Sequence, residues 1–255
     1  MRKFRTGVVG VGFIGAVHIE QLRRLGNVEV VAITDNTDPQ AHADAMCVPR
    51  GYASYQQMID NEHLDCVHIC TPNNTHYEIA MYALAHGVNV VCEKPMTVTA
   101  AQAREMRDFA AARGLVSAMN FNCRFYPMAY QMHEMVKSGE VGEIYTIHGA
   151  YLQDWLYFDT DYSWRLEPEA SGASRAFADI GSHWLDLAEF VTGCRVTAKS
   201  RSSRSPPIPA WRCAPTITPR CPSPPRTGPP CCSTWTTAPT PAATSARSLP
   251  AAKTR

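Results

Sequence analysis

The sequence lacks several features that would each have assigned it to a class. No run of about eighteen consecutive apolar residues occurs, which argues against a membrane span. There is no Gly-x-Ser-x-Gly elbow, no P-loop lysine motif and no Cys-x-x-Cys pair, so the common signatures of serine hydrolases, P-loop nucleotidases and structural zinc are missing. Acid is absent locally. Residues 201–255 hold no Asp or Glu, but 8 Lys or Arg and 13 of the 19 prolines. The first 200 residues carry 16 basic against 23 acidic side chains, a formal charge of −7, so the net +1 of the whole chain sums two unlike pieces. Six cysteines scattered through residues 1–200 show no framework spacing, which predicts a reducing, cytoplasmic setting. Met1-Arg2-Lys3 runs straight into an apolar segment, leaving no room for a signal peptide in this reading.

What is present begins with Thr6–Gly15, T-G-V-V-G-V-G-F-I-G. A short apolar run ends in Gly10, Gly12 and Gly15, and an amphipathic segment follows, so the stretch reads as strand, tight turn and helix start. In such a turn Gly10 makes the bend, Gly12 lets a pyrophosphate approach the backbone, and Gly15 lets helix and strand pack closely. The free N–H groups at Phe13 and Ile14 and the helix dipole would attract the phosphates. The second strand, Val28–Thr34, ends in Asp35, 20 residues past Gly15, where a carboxylate can bind both hydroxyls of an adenosine ribose. A glycine-rich turn alone is weak. With strand, helix, strand and acid together, dinucleotide binding is the expectation, and Asp35 favours NAD over NADP because it would repel a 2′-phosphate.

A chain of 255 residues accommodates one large domain or two ordinary ones. His18 lies at helical spacing with Ile14, Val17, Leu22 and Leu25 and reads as a packed, hydrogen-bonded residue rather than a ligand. Asp38-Pro39 opens another helix. Cys66–Cys70 is a third strand; its Cys66, His68 and Cys70 would share a face, but a strand buried on both sides explains the run better than a metal site. Thr71-Pro72-Asn73-Asn74-Thr75-His76 follows, with Thr75 as a helix cap. Val88–Cys92 is a fourth strand, leading into Glu93-Lys94-Pro95. A helix from Thr99 and a fifth strand, Leu115–Met119, complete a pattern that implies a parallel sheet covered on both faces. Its carboxyl-end loops line the ligand crevice, and the polar clusters fall there. Beyond residue 140 the style changes. Ile144–Leu152 reads as a long strand, an aromatic and charged loop containing Trp164 and Arg165 follows, and Asp179 and His183 share one face of a helix running to about Val191.

The order of these motifs resembles the glucose–fructose oxidoreductase/inositol dehydrogenase (Gfo/Idh/MocA) family over roughly residues 4–195. The matching pieces are G-V-G-F-I-G with His18 downstream, T-P-N at 71–73, E-K-P at 93–95, N-x-R at 122–124 and D-I-G-S-H at 179–183. The resemblance implies an α/β fold: a doubly wound NAD-binding Rossmann domain over 1–122, then a partial substrate domain with an open, mainly antiparallel sheet over 123–200. It implies hydride transfer between a sugar or cyclitol carbon and NAD, with no metal, nucleic acid or membrane partner. Lys94, Asp179 and His183 would form the catalytic group. Gly10, Gly12, Phe13, Ile14, Gly15, Asp35, Thr71, Pro72, Asn73, His76, Glu93 and Lys94 would meet the cofactor. Arg124, Trp164 and Arg165 would join the catalytic three around the substrate. A cis Lys94–Pro95 bond and a homo-oligomer through the open sheet are further implications, the latter for a full-length family member.

Residues 201–255 depart from that pattern. A Pro-, Ser-, Thr- and Arg-rich tail reads first as disordered, but four cysteines and two tryptophans fit that poorly. Back-translation with a shifted frame turns Pro225–Pro241 into a sequence compatible with T-E-D-W-A-A-V-L-L-D-M-D-N-G-A-H-A, which holds a strand and a hairpin signal. The expectation is therefore a frameshift between Arg195 and Arg204, with little regular pairing beyond. Two other readings follow: a chain that binds nucleotide without turnover, and a basic tail that binds nucleic acid with strong salt dependence.

Overall fold

The computed structural model describes residues 2–200, 216–220 and 232–233, with side chains described through residue 196. Six strands form one parallel sheet: β1 (Phe4–Val9), β2 (Val28–Thr34), β3 (Arg50–Tyr52), β4 (Cys66–Ile69), β5 (Asn89–Cys92) and β6 (Ser117–Met119). Their spatial order is β3-β2-β1-β4-β5-β6, the doubly wound arrangement whose crevice opens where the order reverses, between β1 and β4. The helices are α1 (Phe13–Arg24), α2 (Pro39–Ala45), α3 (Tyr55–Asn61), α4 (His76–Ala85) and α5 (Ala100–Ala112). Val8, Val30 and Ile33 pack with Ile19, Leu22 and Ala43 on one face of the sheet. Val9, Val67 and Ile69 pack with Met58, Ile79, Leu84 and Met106 on the other. Burial on both faces explains why the strands read as apolar runs rather than alternations.

Helix starts follow their side chains. Asp38 accepts from the Ala41 N–H and Thr99 from the Gln102 N–H, each satisfying a donor the helix cannot. Thr75 differs from expectation. A 3-10 turn, Asn73–Thr75, precedes α4, and the Thr75 hydroxyl donates to the Pro72 carbonyl and shares a hydrogen bond with the Thr71 hydroxyl, so it braces the loop rather than capping the helix. At the opposite edge of the sheet, the Glu62 side chain, 1% exposed, meets Arg5 at 2.8 Å, Arg50 at 2.5 Å and the Tyr52 hydroxyl at 3.0 Å. These contacts tie β1 to β3. Glu62→Ala is expected to lower the unfolding free energy by about 2 kcal/mol, since charged hydrogen bonds are lost while both arginines can return to water; urea denaturation reads this directly.

The remainder contains α6 (Pro127–Lys137), β7 (Thr146–Ile147), α7 (Pro168–Ser171), a π-helical turn at Phe177–Gly181, α8 (Ser182–Thr192), β8 (Arg195–Ser200), β9 (Thr216–Arg220) and β10 (Cys232–Ser233). The long strand expected over Ile144–Leu152 is reduced to β7, which pairs only with β10 among the described residues. β8 pairs antiparallel with β9. The frameshift expectation otherwise falls on residues that lie outside those described. Among the described residues no helix is long and apolar enough to cross a membrane.

Candidate active site

A cleft of about 770 Å³ runs along the carboxyl ends of β1, β2, β4 and β5 and ends against α8. At its first end the sequence dictates the backbone. Gly10 has φ +84°, and a β-carbon on Gly15 would lie 2.0 Å from the Gly10 carbonyl oxygen, so the turn closes only without side chains there. Gly12 is the reverse case: a β-carbon there would meet nothing within 4 Å. Gly12 also caps α1 without a side-chain hydrogen bond, which leaves first-turn N–H groups facing an open cradle. That cradle, with Phe13 and Ile14 also in the lining, suits a diphosphate. Asp35 sits beside it, one carboxylate oxygen 3.3 Å from the Val11 N and the other accepting from the Thr37 N–H at 3.2 Å. The residues present therefore fit a dinucleotide.

Thr71, Pro72 and Asn73 line the middle of the cleft, and the Asn73 amide donates to the Ser171 carbonyl at 2.9 Å. His76 is placed differently from expectation. It is fully buried, with its ring nitrogens 2.8 Å from the Pro95 and Thr71 carbonyl oxygens, and it links two cleft loops from behind instead of facing a cofactor. Burial lowers its pKa, against the two carbonyl contacts, which favour the charged ring. Glu93 lines the cleft, yet its carboxylate is engaged: His18 Nε2 is 3.0 Å from Oε1, and Asn120 Nδ2 donates to the same oxygen at 2.6 Å. Burial would raise its pKa, but these hydrogen bonds outweigh it and hold the group ionised. His18 is packed and hydrogen-bonded, with His68 Nδ1 2.8 Å from its own Nδ1; burial first, and His18 second, push His68 down to about 4.

At the far end Lys94, which follows β5 through a cis Lys94–Pro95 bond, extends its ammonium to the π-helical turn. Nζ donates to the Asp179 carbonyl at 2.7 Å and to Asp179 Oδ1 at 3.0 Å. Lys94 thereby ties the end of β5 to this turn of i to i+5 hydrogen bonds. His183, one turn on, lines the same cleft. The Cys123 thiol is 3.7 Å from its Nδ1, Phe121 meets the ring edge-on, and Tyr151 lies parallel to it with centroids 6.1 Å apart. Burial, then the Lys94 charge, lower the His183 pKa below the ordinary 6.5.

Trp164 and Arg165 also line the cleft, and Arg165 Nε is 3.3 Å from Asp179 Oδ1. Arg124 does not. Its guanidinium grips the buried Asp186 carboxylate through Nε at 2.7 Å and through Nη2, so it fastens the Asn122–Phe125 3-10 turn to α8 instead of reaching a substrate. Sequence reasoning missed Cys123, Tyr151 and Arg175, all of which line the cleft. Tyr151 carried no motif, Cys123 is the unspecified position of N-x-R at 122–124, and Arg175 lies four residues before Asp179 in a stretch without apolar periodicity.

Residues 4–121 match the family model described as an oxidoreductase family with an NAD-binding Rossmann fold, and residues 130–210 match the GFO/IDH/MocA C-terminal domain. The chain is 35% identical to a D-glucoside 3-dehydrogenase of Escherichia coli K12 over 199 residues, 74% of this chain and 54% of that one. It is 28% identical to a levoglucosan dehydrogenase of Pseudarthrobacter phenanthrenivorans, covering 76% of this chain and 52% of the relative. The chain thus spans about half the length of the curated relatives it matches. A levoglucosan dehydrogenase solved with NADH and levoglucosan superposes with a TM-score of 0.74 at 26% identity, over 80% of this chain and 57% of that one.

Proposed function

Because this chain belongs to the Gfo/Idh/MocA oxidoreductase family, we propose that it transfers a hydride between a hydroxyl carbon of a sugar or cyclitol and NAD. Residues 1–122 would be the cofactor domain and 123–200 the start of the substrate domain. The observation that carries the reading is the meeting of Lys94 and Asp179, 85 residues apart in sequence, in one cleft with His183. A bound nicotinamide supplies the hydride acceptor. The chain supplies the rest. The open cradle at Gly12 receives the diphosphate, and Asp35, facing the ribose, disfavours a 2′-phosphate by charge repulsion. Lys94 donates a hydrogen bond to the reacting oxygen and stabilises negative charge as it develops. His183, neutral because burial and Lys94 disfavour its cation, takes the hydroxyl proton. Asp179 holds the ammonium in place.

The pH dependence follows in sign. A base with a lowered pKa is active above that value, so alcohol oxidation should fall only as pH drops below 6.5. Carbonyl reduction needs the protonated ring and should fall as pH rises through the same pKa. His183→Gln should remove both limbs, which pH–rate profiles in the two directions would reveal. A second reading has its own support: Phe125, Tyr130, Leu152, Tyr157 and Phe158 are exposed, and β7 has only two residues, so among the described residues the substrate side is thinly built. Calorimetric NADH binding together with NAD reduction across a polyol panel separates the two. Binding with turnover supports the dehydrogenase, binding without turnover the nucleotide-binding chain, and no binding defeats both.

A further inference from the structure

A hydroxyl-bearing substrate is named by the chemistry above, but its charge is not. Around Asp179 the fold gathers three cations: Lys94 Nζ at 3.0 Å, Arg165 Nε at 3.3 Å and Arg175 Nη1 at 3.5 Å. All four side chains line the cleft. One carboxylate does not balance three cations, and nearby acids are engaged elsewhere. Glu93 is held by His18 and Asn120, and Asp186 by Arg124.

Arg175 is the least satisfied of the three. Its side chain is only 16% exposed, and its Nε is buried without a hydrogen-bond partner. Burial lowers its pKa. Its backbone sits at φ +32°, a region that residues with a β-carbon rarely adopt. A desolvated, strained guanidinium with an idle donor costs stability, and a planar fork of this kind is repaid by an oxyanion offering two oxygens. Arg165 is held beside it, its Cζ 4.5 Å from the Trp164 ring centroid and 5.5 Å from that of Trp155. Those stacking contacts hold a second fork, whose Nε pairs with Asp179.

We propose that the substrate is an acidic sugar or polyol, whose carboxylate or phosphate is received by Arg175 and Arg165 while its reacting hydroxyl faces Lys94 and His183. The assignment rests on the dehydrogenase reading for the hydroxyl end. The anion end stands on the charge count and the idle Nε.

The test is calorimetric titration of the full chain, with and without saturating NADH. The ligands are glucose and galactose, each beside its uronate and its 6-phosphate, with inorganic phosphate as a further ligand. One acid should bind at least tenfold tighter than its neutral parent at low ionic strength, and the margin should shrink with salt. The uronate and phosphate arms identify which oxyanion is read. Arg175→Gly, which relieves the backbone, should erase the margin without lowering the melting temperature or the NADH affinity. Arg175→Lys should restore part of it. Equal binding of neutral and acidic sugars overturns the proposal. So does an Arg175→Gly chain that loses NADH affinity instead, because the arginine would then serve the cofactor diphosphate. Failure of the unaltered chain to bind NADH would defeat the dehydrogenase reading, and the titrations without NADH would still decide whether the anion is received.

Discussion

Gly12→Val is expected to leave the protein folded and to reduce NADH affinity by at least a hundredfold. The backbone at Gly12 is extended, with φ −62° and ψ −166°, so valine fits without strain. Its β-carbon would meet nothing within 4 Å. The stability cost is the weaker capping of α1, about 1 kcal/mol or less, which moves the melting temperature by roughly 2–4 °C. The isopropyl group, however, fills the space through which a diphosphate reaches the first-turn N–H groups, and a hundredfold loss corresponds to about 2.7 kcal/mol of binding. Gly15→Ala should do the reverse. Its new methyl would stand 2.0 Å from the Gly10 carbonyl oxygen and 3.0 Å from that carbonyl carbon, so backbone must move, at a cost on the order of 3 kcal/mol or more. Calorimetry of binding and thermal melting, run on both variants, distinguishes a ligand cradle from a structural turn. Should Gly12→Val bind NADH normally, phosphates do not sit at this turn and the dinucleotide assignment is wrong.

The same glycines show why this half of the molecule was legible in sequence. β1, β2, β4 and β5 carry apolar runs bounded by turn residues, and a doubly covered parallel sheet requires that composition. β3 was not legible: Arg50–Tyr52 is too short to show a period, and its place is set by pairing with the end of β2. Thr75 reads as a helix cap and His76 as a cofactor contact, and neither reading registers the loop that encloses them. Only the fold reveals that the His76 ring is buried between the Thr71 and Pro95 carbonyl oxygens. Helical spacing put Asp179 and His183 on one face and the family resemblance gave them their roles, although Asp179 lies in a π-helical turn. Arg124 was assigned to substrate on chemistry that is equally suited to a carboxylate of the chain itself, and Asp186 claims it. Arg175 had no local signal at all, since its significance comes from burial against Asp179.

Lys94→Met should lower kcat by a factor of a hundred to a thousand while leaving NADH affinity within a few-fold. Methionine keeps most of the lysine's length and apolar volume and removes only the ammonium, whose two hydrogen bonds run to Asp179. Asp179 would not be stranded, because Arg165 and Arg175 remain at 3.3 and 3.5 Å. The fold should therefore survive, and the loss should fall on the reacting oxygen. Removing one preorganised donor from a developing oxyanion costs about 2.7–4 kcal/mol, which is the factor expected here. Lys94→Arg should not rescue, because a planar guanidinium cannot occupy the compact position of an ammonium between a backbone carbonyl and a carboxylate. The variant also separates two roles that one lysine combines. If it acts only as a tether between the end of β5 and the π-helical turn, then Lys94→Met would lower the melting temperature and raise KM with kcat preserved. If it acts on the alkoxide, kcat falls and the melting temperature holds.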